Sequence, residues 1–304
     1  MSRRGRRHCA LALGGSLVAL LLGIREGSPQ FGPVPETLNL FQLVARTDLV
    51  VHVRIRSGSL KYAIVDVQES LKGTSPFPVL RIAFRDFNFT RAAGTDAIVF
   101  PDRQEEILFL SPYGRTTRKK KDRDKNKDLF TLFRGSQGRL TVPGEGRNVP
   151  LEAVRRLAEI GRLDPSSQTE ALEGLLESPN PILLETALSE IERLRDPRAP
   201  LLPRLIGLLA SPSPPIRIGS LRVMAQIFAS GRIGDDSLDA AQTALAGVLE
   251  RARNDPDEEV RTQAVLSLAA WPNRREVQGE LRAIAGTDKA QAVRYEAERA
   301  LLRP

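Results

Sequence analysis

Two hydrophobic periods divide the chain. Near Asp48 apolar residues begin to alternate with polar ones: Leu49, Val51, Val53 and Ile55 on one side, Val50, His52, Arg54 and Arg56 on the other. A period of two predicts a strand with one face buried. Further strands are predicted at Tyr62–Val67, Val79–Arg85, Ala97–Phe100, Ile107–Leu110, Leu129–Phe133 and Arg139–Val142. Short strands separated by turn residues predict a small antiparallel barrel or sandwich. After Pro150 the period lengthens. Leu151, Val154, Leu157 and Ala158 fall on one face of a segment ending at Ile160, a helix expected to cap the C-terminal half.

That half is one pattern written four times. Its anchors are Leu183, Ile216, Val260 and Val293, spaced by 33, 44 and 33 residues. Ser178, Ser211, Asp255 and Asp288 stand five places before the anchors and are expected to cap a helix by accepting from its free N–H groups. Pro179, Pro212 and Pro256 come next, with Lys289 in the fourth copy; proline suits a first helical position. Ala187, Ser220, Ala264 and Ala297 lie four places after the anchors, and Ile191, Met224, Leu268 and Leu301 four further on. That stripe is one helix face, with a small residue where a neighbour approaches closely. Amphipathic segments at Gln168–Glu177, Leu201–Ala210, Ser237–Arg251 and Arg275–Ala285 supply a first helix for each copy. Gly231 to Asp236 is expected to take up the longer spacing as a loop insertion. One helix start per period predicts a helical repeat array.

The stretch from Asp255 to Ala269, Asp-Pro-Asp-Glu-Glu-Val-Arg-Thr-Gln-Ala-Val-Leu-Ser-Leu-Ala, resembles the second helix of a HEAT repeat. The resemblance covers roughly residues 165–304 and implies a right-handed α-α superhelix. More weakly, Asp66-Val-Gln-Glu-Ser-Leu-Lys-Gly73 and Arg134-Gly-Ser-Gln-Gly-Arg139 look like phrases of small exported bacterial β-domains similar to OB-like barrels. The fold expected is therefore multidomain β + α. Residues 1–27 are a leader, 28–39 a linker, 40–146 the β module, 147–164 a capping helix and linker, and 165–304 the HEAT-like solenoid.

After each anchor stands Leu184, Arg217, Arg261 or Arg294. The HEAT resemblance implies a structural ladder in which such arginines pair with an aspartate of the adjacent repeat, here Asp257 and Asp288. Alternatively, Arg217, Arg261 and Arg294 present a row of donors to an acidic partner.

Charge changes the picture only once it is located. The formal charge is +8, of which residues 1–27 carry +4 and Arg115–Asp128 carries +5, leaving −1. No broad basic face remains, which speaks against nucleic acid. Four arginines before His8 and an apolar run from Cys9 to Ile24 describe a signal peptide or an uncleaved N-terminal anchor. Either places the body outside the cytoplasm, periplasmic or secreted. Cys9 is the single cysteine, so a mature chain would hold no disulfide.

Candidate chemistry is sparse. Outside the leader only His52 remains, read as a surface-side or edge histidine. It cannot build a Cys/His zinc site or a supported nucleophile pair, and no Gly-rich phosphate loop appears. Asp122 to Asp128 opens like a calcium loop, but Lys127 and Phe133 occupy the places that need glycine and glutamate. Arg118, Lys119, Lys120 and Lys121 form a solvated loop or a docking patch for an anionic surface. Asn88-Phe-Thr90 fits a glycosylation sequon. The expected function is a non-catalytic scaffold without cofactor or metal, holding a protein of the cell envelope. An accessory or lyase-like protein binding a small ligand is the alternative, since HEAT-like repeats also occur in phycobilin lyases.

Overall fold

The computed structural model describes residues 38–58, 62–83, 100–113, 127–146, 148–195, 197–231, 233–271 and 274–302. The leader, the sequon, the Arg118–Lys121 run and Ala97–Val99 lie outside the described residues. The first described element is a helix that the alternation does not announce, α1 (Leu40–Arg46). Asn39 and Gln42 close a reciprocal capping box at its start. At its end Lys72 Nζ donates to the carbonyls of Val44 and Ala45 at 2.6 and 3.0 Å, satisfying acceptors that a helix terminus leaves open.

Strands β1 (Leu49–Gly58), β2 (Tyr62–Lys72), β3 (Val79–Ala83), β4 (Glu105–Pro112), β5 (Leu129–Leu132) and β6 (Arg139–Thr141) come next. Their pairing closes a ring of five, in the order β1, β2, β3, β5, β4 and back to β1. Only β3 and β5 run parallel. β6 extends the edge of β4 beyond the stretch used by β5. β1 pairs on both sides and carries three register shifts against β2, which supply the local bend that closure requires. Leu49, Val51, Val53, Ile55, Val65, Leu80, Ile82, Leu108, Leu110 and Phe130 fill the interior.

The two glycine-bearing phrases meet tight backbone rather than chemistry. At Gly73, φ +72°, a Cβ would stand 2.4 Å from the Asp48 carbonyl oxygen; at Gly138 it would stand 2.3 Å from that of Phe133. No other residue fits either place without moving backbone.

The outer face of the ring is not free. Val50, Ile107 and Phe109 join Phe41, Val44, Leu71, Leu151 and Val154 in a cluster that continues through every helix pair. Here α2 (Asn148–Ile160) bridges the ring and the repeats, packing on β2, α1 and the helix Pro181–Leu194. Barrel and stack therefore share one core. His52 illustrates the consequence. Strand alternation puts it outward, as expected, yet it is 3 % exposed because the helical layer covers that face. The surface-side reading of His52 is thus corrected.

The repeats comprise α3 (Pro165–Gly174), α4 (Pro181–Leu194), α5 (Leu202–Leu208), α6 (Pro214–Ser230), α7 (Leu238–Asn254), α8 (Glu258–Ala269), α9 (Arg274–Thr287) and α10 (Gln291–Leu302). All four anchors are buried. The longer middle spacing arises differently from the expected insertion. Residues 195–201 and 231–237 are connections of equal length, whereas α6 has 17 residues against 14 in α4, and α7 has 17 against 7 in α5. Second helices α4, α6, α8 and α10 pack closely in succession, while the first helices touch more loosely. The stack therefore curves with its second helices inside.

Candidate functional site

The turn joining the two helices of each repeat is built one way throughout. Ser178 Oγ accepts from Asn180 N–H at 3.2 Å, Ser211 Oγ from Ser213 at 3.2 Å, Asp255 Oδ1 from Asp257 at 3.0 Å and Asp288 Oδ1 from Ala290 at 2.8 Å. These side chains lock a turn before the helix instead of capping it. The caps of α4, α6 and α8 sit two residues later, at Asn180, Ser213 and Asp257. Pro179, Pro212 and Pro256 consequently stand in the turn and not at a first helical position.

The arginines bind these turns. Nη1 of Arg217, Arg261 and Arg294 donates to the carbonyls of Ser211, Asp255 and Asp288, each in its own repeat, at 2.8, 3.0 and 2.6 Å. Further donors of the first two reach forward one repeat. Arg217 Nη2 meets Asp255 Oδ1 at 2.9 Å, and Arg261 grips Asp288 with Nε at 2.9 Å and Nη2 at 3.2 Å. Burial alone would raise the Asp288 carboxyl, but the hydrogen bonds from Arg261 and Ala290 and the charges of Arg261 and Lys289 hold it below its ordinary range. The ladder thus uses Asp255 and Asp288. Asp257 instead caps α8, accepting from Glu259 and Val260 N–H at 2.9 and 3.1 Å.

Arg217 and Arg261 are 6 % and 2 % exposed, so both guanidinium groups are enclosed within the stack. Arg294 is half-buried and has no carboxylate partner among the described residues. Repeat one breaks the column, with buried Leu184 in place of arginine. There Asn180 Nδ2 holds the Val149 carbonyl of α2 at 2.8 Å, and Asn39 Nδ2 reaches the buried Glu190 at 2.8 Å.

Two accessible surfaces stand out among the described residues. Along the inner face Glu185, Ile218, Thr262 and Tyr295 occupy the same place in successive second helices, at least partly accessible in each. Arg222 spans that face, donating to Gln263 at 3.2 Å and lying 3.9 Å from Glu192. Between the turns of the last two repeats lies a groove of about 580 Å³, lined by Asn254, Pro256, Arg261, Ile284, Asp288 and Lys289 among others. The Arg253–Glu280 pair also borders it.

A separate polar cluster sits on the ring. His52 Nε2 lies 3.1 Å from Glu105 Oε2, and Arg54 Nη2 donates to Glu105 Oε1 at 2.7 Å. Arg155 of α2 clasps Glu69 at 2.9 and 2.6 Å, holding its carboxyl low. The first two pairs join β1 to β4, and the third ties α2 to the ring. Among the described residues no group of three or more His, Cys, Asp or Glu side chains could hold a metal ion, and no helix is long and apolar enough to cross a membrane. Sequence patterns do not reveal Arg222 or the groove, because neither repeats along the chain.

Neither a family model nor a curated protein matches the sequence. Among solved structures, the complex of CpcE and CpcF of phycocyanin lyase from Nostoc sp. is similar at 18 % identity and a TM-score of 0.37, over 50 % of this chain and 96 % of that one. A computationally designed armadillo repeat protein for modular peptide recognition is similar at 16 % identity and a TM-score of 0.38, over 50 % and 75 %. An engineered protein matches at 18 % identity and a TM-score of 0.37, over 50 % and 74 %.

Proposed function

We propose that the chain is a non-catalytic scaffold that holds a partner protein on the inner face of its repeat stack. The observation that carries this reading is the division of labour in the second helices. Buried arginines and turn aspartates fix the repeats to one another, while Glu185, Arg222 and Thr262 face outward from the same rigid elements. A rigid, laterally extended face suits a protein ligand, since little ordering entropy is lost on binding. The contact with an acidic partner, expected on Arg217, Arg261 and Arg294, moves in this reading from the two buried arginines to Arg222, which is half exposed. We take the stack as a right-handed HEAT-like superhelix. The closed five-strand ring with its one parallel pair supports an OB-like β module that stiffens the first repeat. The basic, then apolar leader supports an extracytoplasmic partner in the cell envelope.

The test is affinity capture from the native host with the wild-type chain and with Glu185→Arg/Arg222→Glu, recording thermal unfolding of both. One reproducible envelope protein, lost from the variant at unchanged melting temperature, is the expected result. Equal capture by both would overturn the inner-face assignment. The groove favours a second reading, a small polar ligand, which isothermal titration with a dicarboxylate or a pigment panel checks directly. Ligand sites of this volume are mostly apolar, whereas Arg261, Asp288, Lys289 and Asn254 line this one.

A further inference from the structure

The last helix departs from its predecessors at one place. Five residues beyond the anchor, α4, α6 and α8 carry Leu188, Leu221 and Val265, all fully buried against neighbouring helices. In α10 that place is Glu298, exposed and without an ion pair among the described residues. Stacking another helix pair of the same kind here would bury a carboxylate with nothing to meet it, which is costly. Yet the same exposed stripe carries Tyr295, 60 % exposed, and Leu302, 84 % exposed, the two most exposed large apolar side chains among the described residues. Beside Glu298 stands Arg299, 3.4 Å from Glu296 and with its side chain 56 % exposed.

This stripe is self-complementary. Laid antiparallel against its own copy, with a two-fold axis midway between Glu298 and Arg299, it places Glu298 opposite Arg299 of the second copy and Tyr295 opposite Leu302, each pair occurring twice. A two-fold interface uses one patch on both partners, so a residue's mate must lie within that patch. Here both kinds of contact fall in one register. We infer that α10 is a self-association surface, through which two copies of the chain pair antiparallel. It shares Tyr295 with the inner face but uses none of Glu185, Arg222 and Thr262, on which the proposed partner site rests. One three-turn helix pair buries less than the roughly 1,200 Å² of a standard interface, so the dimer is a weak one, formed at micromolar concentrations.

The test is sedimentation equilibrium of the full chain in a mild non-ionic detergent, with unfolding curves alongside. The wild type is expected to dimerise. Glu298→Arg and Arg299→Glu, each creating two like-charge contacts, should each weaken association by about tenfold or more. The double exchange Glu298→Arg/Arg299→Glu should restore it, because opposite charges face each other again. Leu302→Glu should weaken association without unfolding the chain. A wild type that stays monomeric up to about 100 µM, well above the micromolar range expected of so small an interface, would overturn the inference and leave Glu298 a polar cap. So would a dimer indifferent to both single exchanges, or one that the double exchange fails to rescue.

Discussion

The ring and the repeat stack bury arginine–carboxylate pairs in opposite ways. In the ring, Arg139 reaches Glu106 Oε1 and also lies over Phe100 at 4.6 Å. Glu106 is fully buried, and its Oε2 has no hydrogen-bond partner. Burial pushes this carboxyl above its ordinary range, against the charge and hydrogen bond of Arg139. In the stack, Asp288 accepts both Nε and Nη2 of Arg261 and a backbone N–H as well, and its carboxyl is held low. Arg217 stands between the two cases, well paired through Nη1 and Nη2 but with Nε buried and unpartnered. Desolvation acts on each of these ions. What separates them is whether backbone groups complete the coordination that water formerly supplied.

Removing the arginines one at a time puts that difference at greatest risk. Arg261→Ala strands the Asp288 carboxylate and two turn carbonyls, and should cost about 3–5 kcal/mol, as for a buried pair deprived of one partner. Arg217→Ala should cost less, because Asp255 keeps Arg251 at 3.3 Å and the Asp257 N–H. Arg294→Ala releases a single carbonyl bond and should cost about 0.5–1.5 kcal/mol. Urea midpoints at constant m-value measure all three. Equal losses would mean that the rungs are not what distinguishes the sites.

Exchanging the carboxylates probes the same difference through pH. Asp288→Asn should destabilise at neutral pH, whereas Glu106→Gln should be close to neutral or stabilising, since it removes a half-satisfied buried charge. The two must also diverge with pH. Asp288, ordinarily near 3.8 and lowered here, stabilises the fold above that value; its contribution is lost as pH falls through the lower folded value. Glu106, ordinarily near 4.5 and raised here, favours the fold when protonated, so its contribution is present below 4.5 and lost as pH rises through the folded value. The advantage of Glu106→Gln over wild type should therefore shrink as pH drops towards 4.5. The deficit of Asp288→Asn should close only below 3.8. Parallel pH curves for the two variants would dissolve the distinction.

Much of this architecture is written in periodicities. The four anchors, the first helices and six of the strands lie where apolar spacing puts them, because burial of one face is what spacing records. The arginine ladder is legible for the same reason: a column repeats. The features that escape have no period. Seven residues of α1 are too few to show a helical stripe, and its capping box becomes decisive only with Phe41 and Val44 against α2. His52 lies on the polar side of its strand, and nothing local announces that a helix covers that side. Gly231 and Gly234 read as breakers and so suggest a loop for the 44-residue spacing, although the extra length is helical. The inner-face position of Arg222 depends on the curvature of the stack, a property of packing between repeats.

Among the displaced caps the differences are slighter still, and local chemistry alone separates two repeats of the same design. Asp257 accepts from the N–H groups of Glu259 and Val260 at the start of α8. Ser213, at the matching place before α6, makes no such bond with its side chain. A serine there is permissible because Pro214 and Pro215 come directly after it, and prolines bring no N–H to be satisfied. Asp257→Ala should therefore cost about 0.5–2 kcal/mol, the usual worth of a cap. Ser213→Ala should fall within about 0.5 kcal/mol of wild type, as a surface substitution does. Asp255→Ala separates cap from rung, for it leaves Arg217 Nη2 without its carboxylate while Asp257 still caps the helix; its loss should exceed that of Asp257→Ala. If the two aspartates gave equal losses, the turn lock and the cap would be one device, and the two-residue displacement would carry no energetic meaning.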